Sequence, residues 1–318
     1  MTEYIGINGQ QIEIRSADPA NPTLGQIWYN TTSSALKGYQ FFEGWATGGN
    51  LATARNSLAG AGTQTAGLAF GGSPVPTNGN KTEEYDGSAW TAGGNLATAR
   101  SSLAGAGTQT AGLGFGGKND GGTDQTATEE YDGTSWGPGG NLGTARGSLA
   151  GAGTQTAGLA FGGDASPGSQ VATEEYDGST WTAGGNLTNA RRALGGAGTQ
   201  TAGLAFGGIP TDTATEEYDG TSWTAGGSLL TQDSGAGCGT QTAALSFGNR
   251  PSPGPASLTQ KYDGTSWTTT GSLGSGRYSL GGCGTQTAGL AFGGSTPSST
   301  AATEEYNEAN STVTFTAS

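Results

Sequence analysis

Two kinds of residue recur in this chain at spacings that invite chemistry. Carboxylates come in adjacent pairs, Glu83-Glu84, Glu129-Glu130, Glu174-Glu175, Glu216-Glu217 and Glu304-Glu305, and arginines return at Arg55, Arg100, Arg146, Arg191 and Arg277. Two carboxylates are the machinery of glycoside hydrolysis when they flank one bond. Each pair here lies in a short TEEY run of strand character, and neighbouring strand residues point to opposite faces. The two acids of a pair therefore do not face a common bond. Histidine is absent from all 318 residues, which removes the commonest general base and the commonest metal ligand. Cys238 and Cys283 occupy one place in successive repeats, GAGCGTQT and LGGCGTQT, where other copies carry Ala61, Ala106, Ala152 and Ala197. Small apolar packing positions are expected there; a disulfide or a reactive thiol is the chemical alternative. GLGFGG at residues 112–117 matches a dinucleotide fingerprint, and Lys118 extends it toward a phosphate loop. Neither match opens a helix, and Gly-rich repeats generate such strings by chance. No enzyme, cofactor or metal site is expected.

The elements that must position these residues come from a repeat. Trp45, Trp90, Trp136, Trp181, Trp223 and Trp267 stand 45, 46, 45, 42 and 44 residues apart. After each comes a TAGGN-like turn, in most copies an Arg, then a GTQT segment, an LAFGG-like run, a variable loop and EEYDG. A period of this length with four short strands is that of a propeller blade. The expected strands are a in SLAGAGT, b in AGLAFGG, c in ATEEY and d around the Trp, with TQT and YDG as tight turns. Inner strands meet around a narrow axis, where Gly and Ala fit. Aromatic side chains belong in the wedges between blades, and Trp90, Trp136, Trp181, Trp223 and Trp267 are expected to pack them.

This order resembles the Kelch repeat. The doubled glycine closing strand b (Phe70-Gly71-Gly72 and its equivalents) and a Tyr and a Trp five residues apart (Tyr85 and Trp90, Tyr131 and Trp136, and so on) carry the resemblance. It implies an all-β Kelch-like β-propeller over residues 45–318, preceded by an N-terminal hairpin arm over residues 1–44. Six four-stranded blades are expected, with seven as the alternative. The strand holding Trp45 is one candidate to complete the last blade; STVTFT is another. Copper-dependent Kelch-like oxidases require histidine ligands, which this chain lacks.

The copies also inform on one another. The fifth lacks the Arg, with Gln232 and Asp233 near its place, and lacks the Glu pair, with Gln260 and Lys261 instead. Joint loss suggests that each Arg meets a strand-c Glu, Arg55 with Glu83 or Glu84. The alternative is an anion-binding ring of arginines at the channel mouth. Strand polarity puts the near-identical TQT and YDG turns on one face and the divergent b–c loops on the other. Loops on a rigid scaffold are where recognition is usually placed, so Asn119, Asp120, Asp124, Asn249 and Arg250 are candidate ligand contacts, for a hydrated partner such as a glycan.

Twelve basic against 25 acidic residues give a net charge of −13, which argues against nucleic acid as a partner. No apolar run approaches a membrane span, and the N-terminus lacks the pattern of a cleaved secretory signal. GQIWYNTTSSALKGY reads as a hairpin after a Pro-punctuated connector. That opening, and repeats of the GTQTAGLAFGG kind, resemble structural and tail-fibre proteins of tailed phages of marine bacteria. The resemblance implies a virion-surface protein, made in the host cytoplasm and released by lysis. Its residues 1–44 would contact other virion proteins, its propeller host polysaccharide or protein, and the resemblance allows a homo-oligomer.

Overall fold

A computed structural model describes residues 3–7, 10–165, 168–211, 213–231, 235–249 and 256–315. The chain divides into two compact units, residues 44–306 and residues 1–43 with 307–318. The larger unit is an all-β propeller. Blade one is the antiparallel sheet Ala59–Thr63, Ala66–Phe70, Thr82–Tyr85 and Trp90–Ala92. Four further sheets repeat that order, starting at Ala104, Ala150, Gly195 and Ala236 and ending at Pro138, Ala183, Ala225 and Thr270.

The expected count of six or seven four-stranded blades is corrected: five sheets of that form make up the ring, together with a mixed sheet. The last repeat supplies Gly281–Gly284 and Ala288–Phe292, which lie at one edge of that seven-stranded sheet. Next in it come Thr303–Phe315 and Ala35–Thr47, then Ile27–Asn30, Gln10–Arg15 and Glu3–Ile7. The physical reason is strand length. Thr303–Phe315 and Ala35–Thr47 each run for 13 residues instead of the 3 to 7 of blade strands. Pairing therefore continues past where a blade would end.

Glycine makes the inner strands possible at one recurrent position. A Cβ on Gly105 would lie 2.7 Å from the carbonyl oxygen of Gly60 and 2.7 Å from the Phe70 ring. Inner strands thus approach backbone to backbone, with the phenylalanine of the preceding blade behind them. Between successive sheets lie small apolar clusters. That between blades one and two holds Ala59, Ala61, Leu68, Phe70, Leu96, Leu103 and Tyr131, with Trp136 packed against it.

The smaller unit contains the hairpin Ile27–Asn30 with Ala35–Gly38. Its Trp28 is fully buried and donates from Nε1 to Asp18 Oδ1 at 3.0 Å. Asn30 donates to the same oxygen at 2.6 Å and Lys37 Nζ to Oδ2 at 2.7 Å. These bonds, that from Lys37 first, hold the Asp18 carboxyl down at about 2.

Candidate functional site

Alternation along strand c sends its four residues to two neighbours. In blade one, Glu83 and Tyr85 look back toward the last repeat, and Thr82 and Glu84 look forward to blade two. Arg55 Nη2 donates to Glu83 Oε1 at 3.0 Å, while Nη1 donates to the carbonyls of Gly71 and Lys81 at 2.8 and 2.7 Å. Glu83 Oε2 accepts from the Ala52 amide at 2.6 Å. The same pair recurs as Arg100–Glu129, Arg146–Glu174, Arg191–Glu216 and Arg277–Glu304, at 2.8–3.0 Å. Each arginine side chain is fully buried, and each Nε has no partner among the described residues. Burial pushes every one of these guanidinium pKa values down, against the pull of the glutamate. The arginines are ties within the propeller wall, with their charge spent on glutamate and backbone carbonyls.

The second glutamate faces the next blade. Glu84 accepts from the Tyr131 hydroxyl, Glu130 from Tyr176 at 2.5 Å, Glu175 from Tyr218 at 2.5 Å, Glu217 from Tyr262 at 2.6 Å and Glu305 from Tyr85 at 2.6 Å. Burial, then the bond to glutamate, lifts these five tyrosine hydroxyls to about 12. The tryptophans make the parallel link. Trp136 Nε1 donates to Thr82 Oγ1 at 2.9 Å while its ring meets Phe70 at 4.8 Å. Equivalent bonds join Trp181 to Thr128, Trp223 to Thr173, Trp267 to Thr215, Trp45 to Thr259 and Trp90 to Thr303. The TQT glutamine is the third link: Gln109 Nε2 donates to the Gly67 and Tyr85 carbonyls of the preceding blade at 3.1 and 2.7 Å. The repeated residues that looked most like chemistry thus tie strand to strand and blade to blade.

The fifth blade departs from this scheme. Gln260 Oε1 accepts from the Leu230 amide at 2.8 Å, the place Glu83 Oε2 takes in blade one. Tyr306 meets Thr270 Oγ1 at 2.6 Å, where the other tyrosines meet glutamate. Ser246 stands where the other strands b carry Ala69, Gly114, Ala160, Ala205 and Ala291; its hydroxyl is buried and unpartnered among the described residues. Gln232, Asp233 and Arg250 lie outside the described residues. Cys238 and Cys283 are free and buried, in different inter-blade clusters, and burial raises both thiols, that of Cys283 to about 12. Inert packing is the role this environment supports.

Comparison with protein-family models finds no match, and no curated protein matches the chain. What stands is a β-propeller arrangement of small antiparallel sheets; the loop face must be read from its own residues.

On that face the sequence candidates are only partly brought together. Asn119 Oδ1 accepts from the Thr123 amide at 3.0 Å, Asp120 is exposed, and Asp124 binds Lys118 Nζ at 2.6 Å. Asn249 is buried, at the end of strand b, with a bulge between it and Phe247. Two features were missed. Lys118 also binds Asp164 of the next blade at 3.1 Å, a pairing hinted at by opposite charges at equivalent positions of successive repeats. The other is a belt at the channel mouth. Ser57 N donates to Ser279 O at 2.7 Å, and Ser102 to Ser57, Ser148 to Ser102 and Ala193 to Ser148, each at 2.8 Å. All five residues hold φ between 50 and 54°, a left-handed conformation uncommon without glycine. The recurrent Ser-Leu before AGAG was the available signal.

Proposed function

We propose that this chain is a non-enzymatic attachment protein of a virus particle, a tail-fibre adhesin or capsid decoration. Its loop face binds a host-surface glycan or protein, and residues 1–44 join it to other virion proteins. The observation that carries the binding reading is the difference between the two faces. The TQT and YDG turns are repeated almost unchanged, and their glutamines are used in holding blades together. The b–c loops, by contrast, run from SPVPTNGNK to STPSSTAA with little in common. Divergence confined to one face of a uniform scaffold is what recognition by loops requires. The paired glutamates support a non-enzymatic role, since each is held by Arg or by Tyr in a wall contact.

The virion placement rests on the resemblance of the opening segment and of the repeats to phage structural proteins. Antibody to the loop face, imaged by electron microscopy on purified particles, tests it. Label on fibres or capsids is the expected result. Unlabelled particles, with the protein present in cell extract, favour the second reading, a protein-binding propeller scaffold. Ile209 and Leu230, 43% and 57% exposed on the loop side of blades four and five, support a protein partner in that case.

A further inference from the structure

We propose that the smaller unit pairs with the same unit of a second copy of this chain, the open face of its sheet packed against its twin. The pairing concerns this unit alone and holds whether or not the protein is part of a virion.

Alternation sorts the sheet into two unlike faces. Trp28, Asn30 and Lys37 all reach Asp18, so their face lies under the segment that carries it. Glu13, in register with Trp28, is on that face too; it accepts from Gln26 Nε2 at 3.4 Å and pairs with Arg15 at 2.8 Å. The opposite face holds Ile14, Ile27, Tyr29, Leu36 and Phe42. A Cβ on Gly38, which is in register with Ile27, would lie 2.9 Å from the Phe315 ring, so that ring is there as well. No charged residue stands at a position of this face on Gln10–Arg15, on Ile27–Asn30 or over residues 35–42. Charge begins at the rim, where Glu3 of the outermost strand is in register with Ile14.

A sheet with one apolar face buries it against a second layer. The described residues leave this one open: Ile27, Phe42 and Phe315 are 42%, 45% and 45% exposed. With Leu24 and Phe41, they make the smaller unit the place where exposed large apolar side chains concentrate, and such concentration marks an interaction surface.

Charge and geometry select a second copy as the partner. The chain carries a net −13, so two copies repel wherever acidic surfaces meet, and a neutral face is where they can close. Sheets pack through apolar inner faces at about −30°, and a two-fold axis supplies the second sheet from the same sequence. Five strands about 4.8 Å apart and about 17 Å long make a patch on the order of 400 Å². A dimer closed on it is at the low end of specific interfaces, so reversible association in the micromolar range is expected.

Sedimentation velocity of the full chain from about 1 to about 100 μM tests the pairing across that range. The mass is expected to rise reversibly from that of one chain to that of two. Ile27→Glu and Phe42→Glu each put a carboxylate into the joint and are expected to weaken it about tenfold or more. Phe41→Glu is the control. Phe41 is 43% exposed and, one residue from Phe42, points to the other face, so the dimer is expected to persist. All three positions are at the surface, and a thermal melt verifies that the variants fold. A parent that stays one chain throughout overturns the proposal. So does a dimer that resists Ile27→Glu and Phe42→Glu, or that Phe41→Glu weakens as much. A monomeric parent whose residue 42, carrying a photo-cross-linker, joins a different protein on particles or in extract gives the face another occupant and overturns it too. None of these results bears on the loop-face reading, which host-cell binding tests separately.

Discussion

At Arg146 a guanidinium with no exposure sits 3.0 Å from a glutamate that is itself nearly buried. Taking both ions out of water is expensive, and removing one partner strands the other. Arg146→Met is therefore expected to lower the unfolding free energy by about 3–5 kcal/mol in chemical denaturation. Adding Glu174→Gln should recover part of that loss, since blade five keeps its fold with Gln260 and without an arginine–glutamate pair among its described residues. A double variant as unstable as the single one would show that the carboxylate's charge is not the cost. The sequence revealed that Arg and Glu are lost together; it left Glu83 and Glu84 unseparated. Alternation says only that the two look opposite ways, and which way is backward depends on the neighbouring blade. The serine belt was less legible still. A serine after a turn reads as solvated, and its left-handed φ is imposed by bonds to residues about 45 positions away.

Between blades, one contact type sets a pH limit. The five glutamate-bound tyrosines titrate at about 12 instead of their usual 10.0. Below pH 10 this contributes its full stability; as pH rises from 10 to 12 the unfolded chain loses protons that the folded chain keeps, and stability falls. Alkaline unfolding of the propeller is expected in that window, followed by circular dichroism, and Tyr176→Phe should make it shallower. A propeller indifferent to pH up to 12 would contradict the assignment. The smaller unit has the opposite dependence. Asp18 is held at about 2 against 3.8, so its contribution is present above about 4 and lost as pH falls toward 2. Near-ultraviolet signal from Trp28 is expected to change in that range. Strand order within each blade was legible from local periodicity, because Trp, Tyr and doubled glycine recur in register. The limits of Ala35–Thr47 and Thr303–Phe315 were not, since nothing in STVTFT marks where pairing stops.

For the propeller as a whole, closure is non-covalent and equal in kind all round. Six Trp–Thr bonds run in a cycle, that of Trp45 to Thr259 among them. Trp45→Ala is expected to cost about 3–5 kcal/mol, and hydrogen exchange should then be fastest at strands 236–249 and 281–292. Gly105→Ala should cost about 1–3 kcal/mol by overpacking and spread its effect around the axis, because its obstacle is the Gly60 backbone.

The sameness of these joints has a consequence for self-assembly. A blade displaying Thr, Glu and two carbonyls offers the next chain's Trp, Tyr and Gln the partners it offers its own. At high concentration, refolding molecules can trade blades before their rings close, and interlocked dimers are the expected by-product. Among the described residues, the joint after blade five, where Tyr306 meets Thr270, carries a mark that distinguishes one phase of the ring from another.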